Sequence, residues 1–483
     1  WEINMKILLI NPPYTNFEGG MKESGGHSMP YNLAYLAAYL RERIDCQIKI
    51  LDAEVRCLNF QEIEEEIRKE QPDIAGITCP SSTMNHVFRI CQIIKQNVNS
   101  NCLTIVGGNH PTIMPEKTLE DINIDFAAMS ESEITFYEFV RTIKEGKNNF
   151  KSINGLCYKE NGKIVKNPLR EFIADLDTIP FPALDLLDLE IYYSAPTKKL
   201  TTEKCSPLLT SRGCAFNCIH CASKALWRRQ VRYRSAENVV AEIESHLNKY
   251  DIKEFNLLDE HFTINKPRAM KICQLIIDKK LPIAWACLSR SDAIDDELVE
   301  IMGKAGCKKI SLGLESGSQK ILDLMRKQAT IKQGREAIKT IRRHNILANS
   351  SFMFGNIGET KKTIRETIDY AKSLDLDNAT FFITCPLPGS DLYTYAKDNG
   401  LIPENVKWEM FAPLTNAAPV LAQRNLSGDE LIYWQKRAFR EYYLRPKYII
   451  YKLKMIDSWD IAKSIIEGIR IFIRVLIKKP KKI

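Results

Sequence analysis

The chain has 483 residues, 45% hydrophobic and 27% charged, a balance that excludes a disordered or fibrous chain and predicts two or three domains, because single cores stop growing near about 250–300 residues. The formal charge of +8 lies at one end: from Leu426 onward there are 14 Lys/Arg against 6 Asp/Glu, and the preceding part is close to neutral. No run of about 18 apolar residues occurs, and the opening residues lack a basic segment followed by an apolar one, so the expectation is a cytoplasmic protein with Met5 a plausible start.

In chain order, "MKILLI" (5–10) reads as a strand closing on Asn11-Pro12-Pro13, and apolar residues recur at helical spacing from Tyr31. Strand "QIKILD" (47–52), helix 60–70, strand "DIAGIT" (73–78), helix 84–97, strand "CLTIVGG" (102–108), a short strand near 124–129 and helix 131–145 follow. Short, continuously apolar strands alternating with amphipathic helices predict a parallel sheet covered on both faces, a doubly wound α/β (Rossmann-like) domain over 5–145. Ligands of such sheets sit beyond the carboxyl ends of the strands, which here carry "NPPY", "DAEV", "TCPSST" and "GGNHPT". Ordinary turn chemistry explains any one of these loops equally well.

Residues 146–200 break the pattern: an Asn161-Gly162 turn joins two short strands, and "DTIPFPALDLL" is a proline-punctuated connector. From Pro207 the alternation resumes, with helices at 236–249, 266–279, 295–305, 318–344 (broken near Ala329) and 360–374 between strands ending at "NATFFIT". About six strand–helix units are too few for a closed eight-fold barrel, so a partial (β/α)6 TIM barrel is predicted over 201–425, with a basic amphipathic helical region over 426–483.

Within "SRGCAFNCIHCAS" (211–223), directly after the first barrel strand, stand Cys214, Cys218 and Cys221; the other eleven of the fourteen cysteines are scattered singly and read as buried reduced thiols. A structural zinc site needs four ligands, usually two C-x2-C knuckles, and no second knuckle is present. Buried thiols without metal would be the bland reading, but Gly213, Asn217 and the loop composition argue against core packing. A [4Fe-4S] cluster takes one thiolate per iron, so three cysteines leave one iron open to another ligand.

This loop resembles the radical S-adenosylmethionine signature, in which the open iron binds the methionyl end of S-adenosylmethionine and reduction yields a 5'-deoxyadenosyl radical. The family's aromatic residue before the last cysteine is His220 here. The resemblance extends to "LLDEHFT", implying Asp259 or Glu260 as acceptor of the methionyl ammonium. It includes "SLGLESGS", implying Glu315 near the ribose, and "SFMFGNIGET", implying backbone contact to adenine at Gly355. "LSRSD" places Arg290 where a guanidinium meets a carboxylate or phosphate. A purely structural ion pair is the competing reading for Glu260, Arg290 and Glu315.

The N-terminal domain is similar to the cobalamin-binding domain that precedes the barrel in one radical S-adenosylmethionine subgroup, the class B-type methylases. The resemblance implies cobalamin contacts from Asn11, Pro12, Glu54, Thr78, Ser81, Ser82, Gly107, Gly108, His110, Pro111, Thr112 and Glu131. A corrinoid carrier's D-x-H-x-x-G is absent after Asp52, where Ala53-Glu54-Val55-Arg56-Cys57 follows. Bound cobalamin is therefore expected base-off, with no histidine on cobalt. The implied reaction is hydrogen abstraction from an unactivated carbon and methyl transfer from methylcobalamin to a small-molecule or lipid-like, for example isoprenoid-like, substrate. An electron donor such as flavodoxin or ferredoxin is implied, and no nucleic acid. Relatives of this architecture also close or rearrange rings without methyl transfer, and fold does not choose between these outcomes. A tRNA methylthiotransferase-like enzyme would need further clustered cysteines and a basic RNA-binding module, and a non-catalytic corrinoid protein leaves the three cysteines unexplained. The tail, with polar residues at 460, 463, 467, 470, 474 and 478, reads either as a helix in the interface of an anionic membrane or as one packing on the barrel.

Overall fold

The computed structural model describes residues 5–14, 26–194, 200, 204–403, 406–411, 420, 423–454, 466, 468–470 and 473. Contacts divide them into two bodies, one comprising the N-terminal strand, residues 27–192 and 407–411, the other comprising most of the chain from 193 onward.

The first body is built on strands β1 (Lys6–Asn11), β2 (Gln47–Asp52), β3 (Ile74–Thr78), β4 (Leu103–Gly107) and β5 (Phe126–Ala128), with helices α1 (Tyr31–Arg41), α2 (Phe60–Glu70), α3 (Met84–Ile93) and α4 (Glu133–Lys144) between and after them. The hairpin β6 (Leu156–Glu160) and β7 (Lys163–Lys166) adds two antiparallel edge strands, giving the order β2-β1-β3-β4-β5-β6-β7. β1 pairs in parallel with both β2 and β3, so the order reverses between β1 and β3 and opens a crevice at their carboxyl ends. Both faces are covered: Ile10, Ile77, Val106 and the inner face of α3 form one core, and Leu9, Ile105, Phe136 and Phe139 the other. The helix expected over 84–97 ends earlier, because at Ile94–Val98 the chain widens into a π-helical turn.

The second body carries six parallel strands, β8 (Cys205–Leu208), β9 (Glu254–Leu257), β10 (Ala284–Ser289), β11 (Cys307–Glu315), β12 (Leu347–Phe354) and β13 (Asn378–Ile383), hydrogen-bonded in that order with no pairing of β8 to β13. The partial barrel expected from the alternation is thus present. Period-2 patterning is clearest in β12, where Ala348, Ser350, Phe352 and Phe354 are buried and the residues between them are half-exposed. The break expected near Ala329 in the helical stretch 318–344 is present: α5 (Gln319–Leu324) ends before it and α6 (Ile331–Arg343) starts after it, where Thr330 and Gln333 form a capping box.

At the C-terminus, α7 (Gly428–Tyr443) and α8 (Pro446–Lys454) pack on the barrel's last strand and helix. Tyr442 is fully buried and donates its hydroxyl to Leu376 O at 2.8 Å, and Arg365 grips Glu441 through two bonds of 2.6 and 2.9 Å. Of the polar stripe expected farther on, only Arg470 falls among the described residues, and it is exposed; positions 460, 463, 467, 474 and 478 lie outside them. Among the described residues no helix is long and apolar enough to cross a membrane.

Candidate active site

The cysteine loop begins where β8 ends. Ser211–Gly213 pairs antiparallel with Val231–Tyr233, and Gly213 sits at φ +104°, where a Cβ would lie 1.9 Å from Gln230 O. Only glycine turns the chain here, and the turn delivers Cys214. The loop is pinned at Ile219, whose N–H donates to Met325 O at 3.1 Å, and Ile219 packs against Leu392. Cys214 is buried, and Cys218 and Cys221 are partly so. Burial pushes the Cys221 thiol up to about 11 and raises Cys214 as well, while the charge of the exposed Glu260 raises both.

Among the described residues no three His, Cys, Asp or Glu side chains converge on a single ion. Three thiols spread along one loop suit a cluster with one thiolate per iron. Beside them, Asn217 Oδ1 and His220 Nδ1 are enclosed without a partner, polar atoms that a bound group would satisfy. Burial holds the His220 imidazole below its ordinary value, against the pull of Glu315.

The surrounding residues divide into engaged and open. Asp259 is engaged: its carboxylate accepts from Thr210 N (2.7 Å), Thr210 Oγ1 (2.6 Å) and Ser211 Oγ. Of the pair Asp259 and Glu260, then, Asp259 is bound within the chain, while Glu260 is exposed. Arg290, 1% exposed, meets the carboxylate of Asp292 at 2.9 and 3.0 Å and donates to the carbonyls of Lys327 (2.7 Å) and Gln328 (3.1 Å). Its guanidinium lies 3.6 Å from the centroid of the Phe216 ring, which His261 meets edge-on. Arg290 thus has a carboxylate partner within the chain in Asp292, and its guanidinium lies against Phe216 of the cysteine loop. Glu315, at φ +62°, accepts from Lys327 Nζ at 3.0 Å in a buried pair. Gly355, at φ +94°, donates its N–H to Glu359 Oε2 at 2.6 Å, and Asn356 N donates to the same oxygen at 3.0 Å. Burial pushes the Glu359 carboxyl up to about 7.

Phe216, His261, Lys327 and Glu359 were not singled out in the sequence. Glu359 had a signal, lying four residues past Gly355 in "GNIGET"; Lys327 had none, because its partner Glu315 is on another element.

In the sheet domain the carboxyl-end loops come together around Gly108. At φ +110°, a Cβ there would stand 3.2 Å from Cys79 N and 3.3 Å from Cys79 O, so the Gly107-Gly108 loop closes tightly on "TCPSST". Thr78 Oγ1 accepts from Asn32 (2.8 Å), Ser81 Oγ lies 3.1 Å from His110 Nδ1, and Thr112 Oγ1 donates to Gly108 O (2.7 Å). His110 and Pro111 are buried, and burial lowers the imidazole to about 4, so it is neutral. Pro12 is buried beside the β1 end and Ser82 is half-exposed in the Ser81–Thr83 turn. Three of the expected contact residues also have partners inside the chain: Asn11 donates to Asp52 (2.8 Å), Glu54 accepts from Tyr14 N (2.6 Å), and Glu131 accepts from Ile173 N (2.9 Å).

Comparison with known proteins agrees with this fold. The radical SAM superfamily model matches residues 208–371 and the B12 binding domain model residues 19–140. An uncharacterised methyltransferase of Pyrococcus horikoshii is 35% identical over 97% of this chain and 99% of its own. The anaerobic magnesium-protoporphyrin IX monomethyl ester cyclase of Rubrivivax gelatinosus is 30% identical over 85% of this chain and 73% of its own. In fold, the radical S-adenosylmethionine methyltransferase TsrM from Kitasatospora setae, solved with cobalamin and a [4Fe-4S] cluster bound, superposes with a TM-score of 0.68 at 18% identity, covering 89% of this chain and 81% of that one.

The chain belongs to the radical S-adenosylmethionine superfamily, in the group whose barrel follows a B12-binding domain. It is an enzyme of cobalamin, a [4Fe-4S] cluster and S-adenosylmethionine. The residues present fit these groups: three thiols beside the orphaned polar atoms of Asn217 and His220, and a glycine-tight loop beside the orphaned Nε2 of His110.

Proposed function

We propose that this protein is a C-methyltransferase acting on an unactivated carbon of a small, lipid-like molecule, with residues 5–145 holding cobalamin, 146–200 as connector, 201–425 carrying the radical chemistry and 426–483 as a peripheral extension. The observation that carries the proposal is the three-thiol loop in one chain with a sheet domain whose carboxyl-end loops leave enclosed polar atoms unsatisfied. Bound there, the cluster supplies the electron that cleaves S-adenosylmethionine to a deoxyadenosyl radical, and cobalamin supplies the methyl group.

The chain's own part is ligation, placement and exclusion of water. Cys214, Cys218 and Cys221 ligate as thiolates, so their thiols lose protons on metal binding. Glu260 takes the methionyl ammonium, and Glu315, held out of solvent by Lys327, faces the ribose. The turn at Gly355, fixed by Glu359, meets adenine, and His220 lies beside it. Thr78, Ser81, Ser82, Gly107, Gly108, His110, Pro111 and Thr112 line the corrin side, with no histidine at cobalt.

A flavodoxin- or ferredoxin-like protein supplies the electron. The lipid-like substrate and a peripheral membrane contact are supported by α8, which turns Tyr448 into the barrel, its hydroxyl 2.9 Å from Asp377 O. The same helix leaves Ile449, Ile450 and Leu453 at 44, 53 and 61% exposure, flanked by the exposed Lys447 and Lys454, the pattern of an interfacial face.

Anaerobic reconstitution with iron, sulfide and hydroxocobalamin tests the proposal. Wild type is expected to form 5'-deoxyadenosine under reduction and to pass label from methyl-deuterated S-adenosylmethionine to cobalamin, whereas the Cys214/Cys218/Cys221→Ala variant forms no 5'-deoxyadenosine. Equal 5'-deoxyadenosine from that variant would refute radical chemistry at this loop. Deoxyadenosine without any methyl labelling of cobalamin would replace methyl transfer by ring formation or rearrangement.

A further inference from the structure

Residues 407–411 follow the barrel in sequence and lie outside the stretch matched by the B12-binding model, yet they pack as part of the sheet domain. The turn Trp408–Phe411 lies on the Ser81–Thr83 turn and α3. Asn85 Nδ2 donates to Glu409 Oε1 at 2.6 Å, and Phe411, 2% exposed, anchors the turn. Trp408 meets His110 edge to face with ring centroids 4.6 Å apart.

Two polar atoms in this small region have no partner. His110 is fully buried, and its Nε2 is unbonded while Nδ1 lies against Ser81; Glu409 Oε2 is likewise enclosed and unbonded. Leaving such atoms unsatisfied is costly enough that they point to a bound group. The neutral imidazole nitrogen and the carboxylate oxygen both call for polar hydrogens, and the half-buried indole beside them offers an apolar wall. A flat macrocycle rimmed with carboxamides has both features: ring edges to lie on an aromatic surface and amide N–H groups to donate.

We propose that Trp408 and Glu409 are part of the cobalamin site, the indole walling the corrin rim and Glu409 Oε2, with His110 Nε2, accepting from its amide side chains. This rests on the cobalamin-dependent function proposed above and adds to it a segment far in sequence from the binding domain. Cobalamin retention then depends on residues that a sequence-defined binding domain lacks.

The test uses the full chain reconstituted with its cluster and titrated with hydroxocobalamin by equilibrium dialysis, as wild type, Trp408→Ala, Trp408→Phe and Glu409→Gln. Trp408→Ala is expected to weaken cobalamin binding about tenfold, about 1.4 kcal/mol, Trp408→Phe to recover most of it, and Glu409→Gln to weaken it severalfold. Iron content and the S-adenosylmethionine-induced change in the cluster's paramagnetic resonance spectrum are expected to stay as in wild type. Hydrogen exchange over residues 81–84 of the cobalamin-free protein monitors the fold. Wild-type affinity in both Trp408→Ala and Glu409→Gln overturns the assignment. So does weakened binding accompanied by lost protection at 81–84 in every weakened variant, which would make the segment a support for the fold. A wild type that binds no cobalamin overturns both this assignment and the function it rests on.

Discussion

Replacing Arg290 by methionine separates two roles, ligand contact, which the sequence left open beside a structural ion pair, and support of the cysteine loop through Phe216. The structure lets the cost be worked out. Arg290 is 1% exposed, so its cation–π contact with Phe216 at 3.6 Å is desolvated and contributes about 2 kcal/mol. Its loss also orphans the carbonyls of Lys327 and Gln328, at about 1–3 kcal/mol each where no water reaches them. Methionine fills much of the volume but replaces none of these bonds, so a local loss of roughly 4–8 kcal/mol is expected from these terms, concentrated where Phe216 lies between Cys214 and Cys218. The assay is iron and sulfide content after anaerobic reconstitution, together with S-adenosylmethionine affinity per assembled cluster. The expected result is a large fall in cluster content and thermal stability, with affinity per cluster within about twofold of wild type, well under 1.4 kcal/mol. Full cluster content with S-adenosylmethionine affinity reduced tenfold or more would refute the bracing role and return Arg290 to the ligand.

Two further outcomes follow from single positions. Gly213→Ala places a Cβ 1.9 Å from Gln230 O at a φ that already costs an L-residue about 1–3 kcal/mol; the expected result is loss of cluster assembly with cobalamin binding retained, and a normally assembled cluster would show that the turn is not needed to deliver Cys214. Glu359 is raised from 4.5 to about 7 by burial, so the stability it permits is complete below its unfolded value and is lost as pH rises through about 7, amounting to about 3 kcal/mol by pH 8. Glu359→Gln keeps an acceptor for Gly355 N and Asn356 N and carries no charge, so by urea titration the unfolding free energy of wild type is expected to fall relative to that of the variant by about 2–3 kcal/mol between pH 5 and 8, the buried imidazoles contributing equally to both curves; parallel curves would contradict the assignment.

What was legible in the sequence follows from the range of the forces involved. Alternating apolar strands and amphipathic helices are local signals, and the parallel strands of both sheets appeared where those signals placed them. The cysteine loop was legible because its three thiols are close in sequence and its chemistry needs that spacing. Breaks inside helices were less so: Ala329 marked one, but the π-turn at Ile94–Val98 leaves no mark that separates it from continued helical periodicity. Hardest were side chains whose role is set by a distant partner. Asp259 and Glu260 are adjacent and chemically alike, and only the fold shows that Thr210 and Ser211 consume the first and leave the second open. Arg290 has Asp292 and two carbonyls near 327 as partners, and nothing local in the sequence announces that those carbonyls face it. Trp408 is the extreme case: its ring meets His110, nearly three hundred positions earlier, so the feature that gives it meaning, an enclosed imidazole nitrogen without a partner, exists only after folding. A site assembled this way is underestimated by any reading confined to one domain's own segment.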